Sequence, residues 1–322
     1  MYSKNEVALM VQVARLYYEH GLTQEDIAEK MAITRQKASR LLIAARTQGI
    51  IKTVIVDPFP ADLDLTRELT TRFNLKDVIV LPGEMLEGDQ LRTGIGLAAV
   101  EYLQRTLQDN QIVGIGWGRS LYDTVNLIPK STPKRIHVVP LIGGIGDISP
   151  FFQVNELARV LSSAFSGTYR HLYAPAFIEN NDVLEDFLKT QEVLQVSDFW
   201  NKVDVAIVGI GHVEFQRISS MFFADHITRQ TLAMLEEQGA VGDICARFFN
   251  SKGVQVLPNL GVIGINLNQL KVVPQVIAIA GGMEKTRAVL GALKGGYINT
   301  LITDTATAQA VLAEDRKEVV RE

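Results

Sequence analysis

The chain holds one cysteine, Cys245, among 322 residues, so neither an intrachain disulfide nor a multi-cysteine metal site can form. Its five histidines, His20, His137, His171, His212 and His226, are scattered without metal-ligand spacing. Long apolar runs are also missing. The longest, such as VDVAIVGIG at 203–211, have strand length and are too short to span a bilayer. The first residues mix acids and glutamine into their apolar pattern, unlike a secretory signal. The expectation is a cytoplasmic protein without membrane, metal or cofactor, with Cys245 as a small core residue. Three catalytic signatures are absent as well: G-x-x-x-x-G-K-[ST], H-E-x-x-H and G-x-S-x-G.

What is present is an uneven charge. The chain carries −4 overall, yet Met1–Lys52 has eight basic residues against five acids, leaving a balance of −7 on the rest. A basic end on an acidic body points to nucleic acid at that end. Val7, Met10, Val11, Ala14, Leu16 and Tyr17 form one helical face, which stops at Gly21. Thr23 caps a second helix, QEDIAEKM, whose first turn holds Glu25 and Asp26 where the helix dipole favours acids. Thr34 opens a third, RQKASRLLIAARTQ, which stops at Gly49. The second and third form a helix-turn-helix whose contact points are Ile27, Ala28, Ile33, Ala38, Leu41 and Leu42. Ala32 stands in the turn where glycine is common. Residues 34–49 contain no acid. Arg35, Gln36 and Arg40 suit base edges, while Thr34, Lys37 and Ser39 suit phosphates, with Thr23 and Gln24 on the supporting helix. An ordinary amphipathic hairpin with a solvated basic face is the plain alternative.

A strand over 50–56 is expected next, as in a winged helix-turn-helix, and Pro58 and Pro60 end it. Domains are therefore expected over 1–56 and 57–322, with residues 63–73 a helix that connects or dimerises. Beyond it, apolar strands at 77–81, 112–116, 136–142, 170–175, 204–211, 275–281 and 299–304 alternate with helices at 90–107, 152–165, 285–293 and 305–312. The final AEDRKEVVRE is expected to fray. Alternation of this kind predicts an α/β fold with a mainly parallel sheet covered on both faces.

Ligand sites in such sheets lie beyond the carboxyl ends of the strands. Glycine recurs there, in GWG at 116–118, GGIGD at 143–147, Gly209 with Gly211, and AGGMEK at 280–285. QIVGIGWGRS at 111–120 has Arg119 in place of the third dinucleotide-fingerprint glycine, and the acid expected further on is absent. The loop is then a phosphate or oxyanion cradle, with Ser120 as hydroxyl donor and Arg119 as charge partner. Asp243 and Lys285 are the other charged candidates, for sugar hydroxyls and phosphate respectively. A helix cap and an exposed first-turn lysine are their structural alternatives.

ARLYYEHGLTQEDIAEKMAITRQKASRLL, VGIGWGRS, LIGGIG, DVAIVGIG, AVGDICARFF and GALKGGYINTLITD occur in this order. Together they resemble the SorC/DeoR family of bacterial sugar-responsive transcriptional regulators, over nearly the whole chain. The resemblance implies a sugar-phosphate-binding domain similar in fold to ribose-5-phosphate isomerase and glucosamine-6-phosphate deaminase. It also implies operator DNA and a phosphorylated sugar or polyol as partners, and a homo-oligomer, typically a tetramer. On this basis Gly116, Trp117, Gly118 and Ser120 contact phosphate, Gly143 and Gly144 line the pocket, and Asp243 and Lys285 hold the ligand. Arg119 occupies a varying family position and tunes ligand choice. The competing reading is an isomerase or deaminase carrying a DNA-binding appendage; it lacks a well-spaced second acid or histidine beside Asp243.

Overall fold

The computed structural model describes residues 3–51, 63–82, 87–129, 134–145, 152–213, 215, 227–257 and 260–321. The chain divides into two compact units, Met1–Val56 and Asp57–Glu322. In the first, α1 (Lys4–Tyr18), α2 (Gln24–Lys30) and α3 (Arg35–Thr47) follow one another. Their start points are chemical. Ser3 and Thr23 each form a reciprocal capping box, with Glu6 and Asp26, and Thr34 Oγ1 accepts the Lys37 amide. Val13, Ile27, Ala38 and Leu42 are buried where the helices meet, with Ile33, Leu41 and Ile51 packed around them. Ala32 takes φ 52°, the left-handed conformation the turn requires, at a steric cost glycine would avoid.

The expected strand at 50–56 does not begin in the described residues. The amides of Ile50 and Ile51 both turn back to the Ala45 carbonyl, closing the end of α3, and residues 52–56 lie outside the description, as do Pro58 and Pro60.

The second unit is an α/β domain of twelve strands among the described residues. They are β1 (Asp77–Leu81), β2 (Ile112–Ile115), β3 (His137–Pro140), β4 (Thr168–Tyr169), β5 (Phe177–Ile178), β6 (Val205–Val208), β7 (Gly211–His212), β8 (Ala240–Ile244), β9 (Arg247–Asn250), β10 (Gly261–Val262), β11 (Gln275–Ile279) and β12 (Thr300–Asp304). Seven form one sheet in the order β1-β12-β11-β6-β2-β3-β4, with every pair parallel. Val113, Gly114 and Ile115 stand opposite Val205, Ala206 and Ile207. Val205 and Ile207 face one apolar core and Ala206 and Val208 the other, because successive strand residues point to opposite faces.

Helices cover both faces. α5 (Gly88–Thr106), α6 (Arg119–Leu127) and α7 (Val154–Ala164) supply Ile95, Leu121 and Leu157 to one core. α9 (Gln191–Trp200), α12 (Thr286–Lys294) and α13 (Thr305–Arg321) supply Val196, Val289 and Val311 to the other. The shorter α8 (Asn181–Lys189), α10 (Arg229–Glu237) and α11 (Leu267–Val272) complete the unit.

Two expectations need correction, and one sheet was not expected. The segment 170–175 is not a strand; the ladder closes with β4, and beyond it Pro175 makes only an isolated parallel bridge to Gly144. The chain end does not fray at residue 313, since α13 continues to Arg321. Asp315 explains the length: it is buried and accepts from Arg72 Nε at 2.6 Å and Lys294 Nζ at 3.1 Å. That ion pair also ties α4 (Leu63–Phe73) to α13, so the helix after the boundary packs within the second unit, with Leu69 fully buried. Finally, β7, β8 and β9 form an antiparallel sheet that the sequence pattern did not suggest.

Candidate functional site

β2 and β6 are neighbours, yet the chain leaves β2 toward β3 on one side and β6 toward β11 on the other. Their carboxyl ends therefore part and open a crevice, the position where doubly wound sheets bind ligands. A cleft of about 430 Å³ lies there. Its wall begins with Trp117, Gly118, Arg119 and Ser120, the link from β2 into α6. Gly118 has φ 129°, a conformation closed to other residues, and no side chain caps the helix it starts. The first amides of α6 consequently lack intrahelical acceptors at the positive end of the helix dipole.

The opposite wall comes from the antiparallel sheet. A side chain at Gly211 would put its Cβ 2.0 Å from Asp243 Oδ1, so the bare backbone lets the carboxyl in. Asp243 is 5% exposed and accepts the Ala246 amide at 3.0 Å. Burial pushes its carboxyl up to about 6; that hydrogen bond and the positive charge of Lys285 oppose the rise. Lys285 ends the 3₁₀ turn Met283–Lys285, immediately before α12. Burial pushes its ammonium down to about 8 against the pull of Glu284, with Arg119 repelling, Asp243 attracting and Arg92 repelling. Cys245 also lines the cleft, and burial holds its thiol up at about 12, which leaves it protonated.

These values set a pH window. Between 3.8 and about 6 the folded chain keeps a proton on Asp243 that the unfolded chain releases, so this group's contribution to stability declines as pH rises. Between about 8 and 10.5 the unfolded chain holds the proton that folded Lys285 has lost, so stability from this group increases with pH. Both side chains are charged between about 6 and 8. Affinity for an anionic, hydroxyl-bearing ligand is expected to peak in that window. Calorimetric titration across pH checks it: Asp243→Asn should remove part of the acidic limb, and Lys285→Met the alkaline limb.

Most of the expected ligand residues thus meet in one place. Gly116 sits just behind the wall; a side chain there would put its Cβ 3.1 Å from Cys245 Sγ, so the bare backbone makes room for the thiol. Gly143 and Gly144 are elsewhere, which corrects the expectation that they line the pocket. A Cβ on Gly143 would come 2.4 Å from the Pro175 carbonyl oxygen, and the Gly144 amide donates to Ala174 at 2.9 Å. The pair permits close backbone packing beside β5 rather than access to the cleft. Asp147, from the same run, and His226 lie outside the described residues.

The cleft also contains residues not singled out in the sequence: Glu87, Arg92, His212, Glu284 and Asp304. Asp304 is 2% exposed and accepts from the Gly282 amide at 3.0 Å, the Thr307 amide at 2.9 Å and Thr307 Oγ1 at 2.6 Å. It therefore ties the loop after β11 to the start of α13. Its place at the carboxyl end of an apolar strand was the available signal. Arg92 bonds Asp89 and Asp123 from within α5, where no sequence pattern marks it.

On the first unit, Arg35, Gln36, Lys37 and Arg40 are exposed along α3, with Ser39 half-buried. Thr23 and Thr34 are exposed but use their hydroxyls as helix caps, and Gln24 is half-buried at the start of α2. Among the described residues, no three His, Cys, Asp or Glu side chains are grouped to hold a metal, and no helix is long and apolar enough to cross a membrane.

A helix-turn-helix unit joined to a doubly wound domain with a cleft bearing charged side chains at its switch point defines a ligand-binding transcriptional regulator. Residues 57–313 match the family described as "Putative sugar-binding domain". The chain belongs to this family, within the SorC/DeoR-type transcriptional regulators. It is 32% identical to the sorbitol operon regulator of Klebsiella pneumoniae over 97% of this chain and 100% of that protein. The full-length crystal structure of that regulator superposes with a TM-score of 0.75, at 30% identity over 97% of this chain and all of the other. The deoxyribonucleoside regulator of Bacillus subtilis is 32% identical, covering 94% of this chain and 97% of its own length. LsrR of Escherichia coli K12 is 34% identical, covering 94% of each. These relatives are regulators, not enzymes, and the isomerase or deaminase reading falls with them.

Proposed function

We propose that this protein binds operator DNA through α3 and is controlled by a phosphorylated sugar or polyol held in the cleft. One observation carries the effector reading: the uncapped start of α6, Arg119 and Lys285 share a cleft with the buried carboxyls of Asp243 and Asp304. Helix amides and cations suit a phosphate, and acceptor-only carboxylates suit hydroxyls. Ser120, at the head of α6, donates its hydroxyl to the same phosphate. The protein works in the cytoplasm as a homo-oligomer, a tetramer, whose recognition helices read half-sites in successive major grooves. The effector changes operator affinity to the extent that it binds two quaternary states differently.

Thermal-shift titration with a panel of phosphorylated sugars and polyols tests the effector reading. At about 100 times its dissociation constant, a matching ligand stabilises by about 2.7 kcal/mol. In a domain of this size that raises Tm by roughly 5–10 °C. The reading fails if unphosphorylated counterparts do as well. Arg35→Ala and Arg40→Ala are each expected to weaken operator binding by roughly 10- to 100-fold while leaving the ligand-induced Tm shift intact. Gel shifts unchanged for both would remove α3 from the DNA interface.

A further inference from the structure

Residues 170–175, RHLYAP, have the alternation of a strand, yet β4 closes at Tyr169. β4 is the last strand of the large sheet, and its inward groups are satisfied. The Thr168 amide donates to Ile136 at 2.9 Å and the Arg170 amide to Val138 at 3.0 Å. Further on, Asn155 bonds both backbone groups of Leu172, and Ala174 accepts from Gly144. The alternate residues Tyr169, His171 and Tyr173 turn their amides and carbonyls away from the sheet, as extended backbone requires. Among the described residues none of these groups has a hydrogen-bond partner.

Their side chains form a continuous row. The rings of Tyr169 and His171 meet edge to face at 4.9 Å, and those of His171 and Tyr173 stack at 5.2 Å. His171 is exposed, and Tyr173 is 70% exposed. On the other face Leu172 is buried, and the Arg170 guanidinium lies 4.4 Å from the Phe199 ring centre. Edges of natural sheets are ordinarily blunted by charge, proline or a bulge. This one presents aromatic rings instead, and Pro175 interrupts it only after the row ends.

We propose that this edge, Tyr169 to Tyr173, is a two-fold interface with a second copy of the same chain. The row is self-complementary about His171. An antiparallel copy sets His171 opposite His171 and each Tyr169 opposite the other copy's Tyr173. Every facing pair then exchanges both backbone hydrogen bonds, and the two aromatic rows lie side by side. Pairing of this isologous kind closes on itself, so it gives a dimer rather than a fibre. It turns the strand pattern at 170–175 into an actual strand. The inference rests on the homo-oligomer reading above and names the surface.

The test uses the full chain and a short bis-maleimide. Facing residues at a hydrogen-bonded antiparallel position have Cα atoms about 5.5 Å apart, so two cysteines at position 171 are within reach of one cross-linker. His171→Cys is expected to give a covalent dimer on denaturing gels. The native chain, whose only thiol is the buried Cys245, is expected to give none. Tyr173→Glu, at a site open enough to spare folding, is expected to raise the dimer dissociation constant roughly tenfold or more, because it acts twice across the axis. A native chain that sediments as a monomer would refute both the homo-oligomer reading and this one. An oligomeric native chain, with neither variant behaving as stated, would overturn the edge alone. Adducts of His171→Cys only with other proteins in cell extract would assign the edge to a foreign partner, and would overturn it as well.

Discussion

Lys285→Met is expected to weaken the response to a phosphorylated effector severely and to leave operator binding without effector unchanged. Lys285 precedes α12, where the helix dipole disfavours a cation, and it is surrounded enough that burial pushes its ammonium down to about 8. The position is therefore electrostatically unfavourable until an anion enters. Methionine keeps the length of the side chain and removes the charge. The loss of a desolvated charge pair costs about 2–5 kcal/mol, so effector affinity should fall roughly 30-fold or more. In the absence of ligand the same substitution should raise Tm at pH 7, since a half-buried charge at an unfavourable helix start disappears. Titration calorimetry and a melting curve check the two halves separately. Undiminished affinity would show that Lys285 does not hold the effector.

Asp304→Ala is expected to have the largest effect on stability. The carboxylate accepts two amides and a hydroxyl in a buried setting, and it takes the N-cap place of α13. Its removal leaves the Thr307 amide without that acceptor, while Gly282 keeps only Thr307 Oγ1 at 2.8 Å. A loss of about 2–4 kcal/mol follows, seen as a fall in Tm of roughly 5–10 °C. Effector affinity should fall too, because Gly281 and Gly282 line the cleft and lose their tie to α13. Asp304→Asn retains an acceptor and should lose less than half as much. A Tm within a degree of the native value for Asp304→Ala would mean that the loop holds its position by other means.

The two variants touch the same cleft from opposite physical sides. On the proposed function, Lys285 is a cost carried for a ligand, and Asp304 is a support for the surface that ligand would meet. The contrast matters experimentally, because only the second should change the melting of the empty protein downward.

Much of this was legible in the residues. The capping threonines at 23 and 34 and the first-turn acids are local signals, and α2 and α3 begin where they indicate. Six of the seven expected strands are strands of the large sheet, because a fully buried parallel strand is written as a short apolar run. The glycines after β2, β6 and β11 marked the crevice because their positions follow from strand ends alone.

The omissions have physical causes. The hairpin of β8 and β9 turns through Cys245 and Ala246, at φ 50° and 57°. Asparagine and glycine ordinarily mark such a turn; here non-glycine residues are held in left-handed backbone, partly by the Asp243 bond to the Ala246 amide. The turn was therefore invisible in composition. Gly143 and Gly144 looked like cleft residues because glycine allows a ligand to approach and allows another backbone to approach equally well. Only the location of Pro175 distinguishes the two uses. Asp315 sat in a charged tail whose composition suggested solvent, until Arg72 and Lys294, distant in sequence, converged on it.

The sequence by itself determined where helices start, which runs become buried strands and where backbone is left bare, since each depends on neighbours within a few residues. The tertiary structure decided which bare backbone faces the cleft, which carboxyls are buried beside Lys285, and which edge stays open. Those depend on strand order, and strand order brings together residues more than a hundred positions apart.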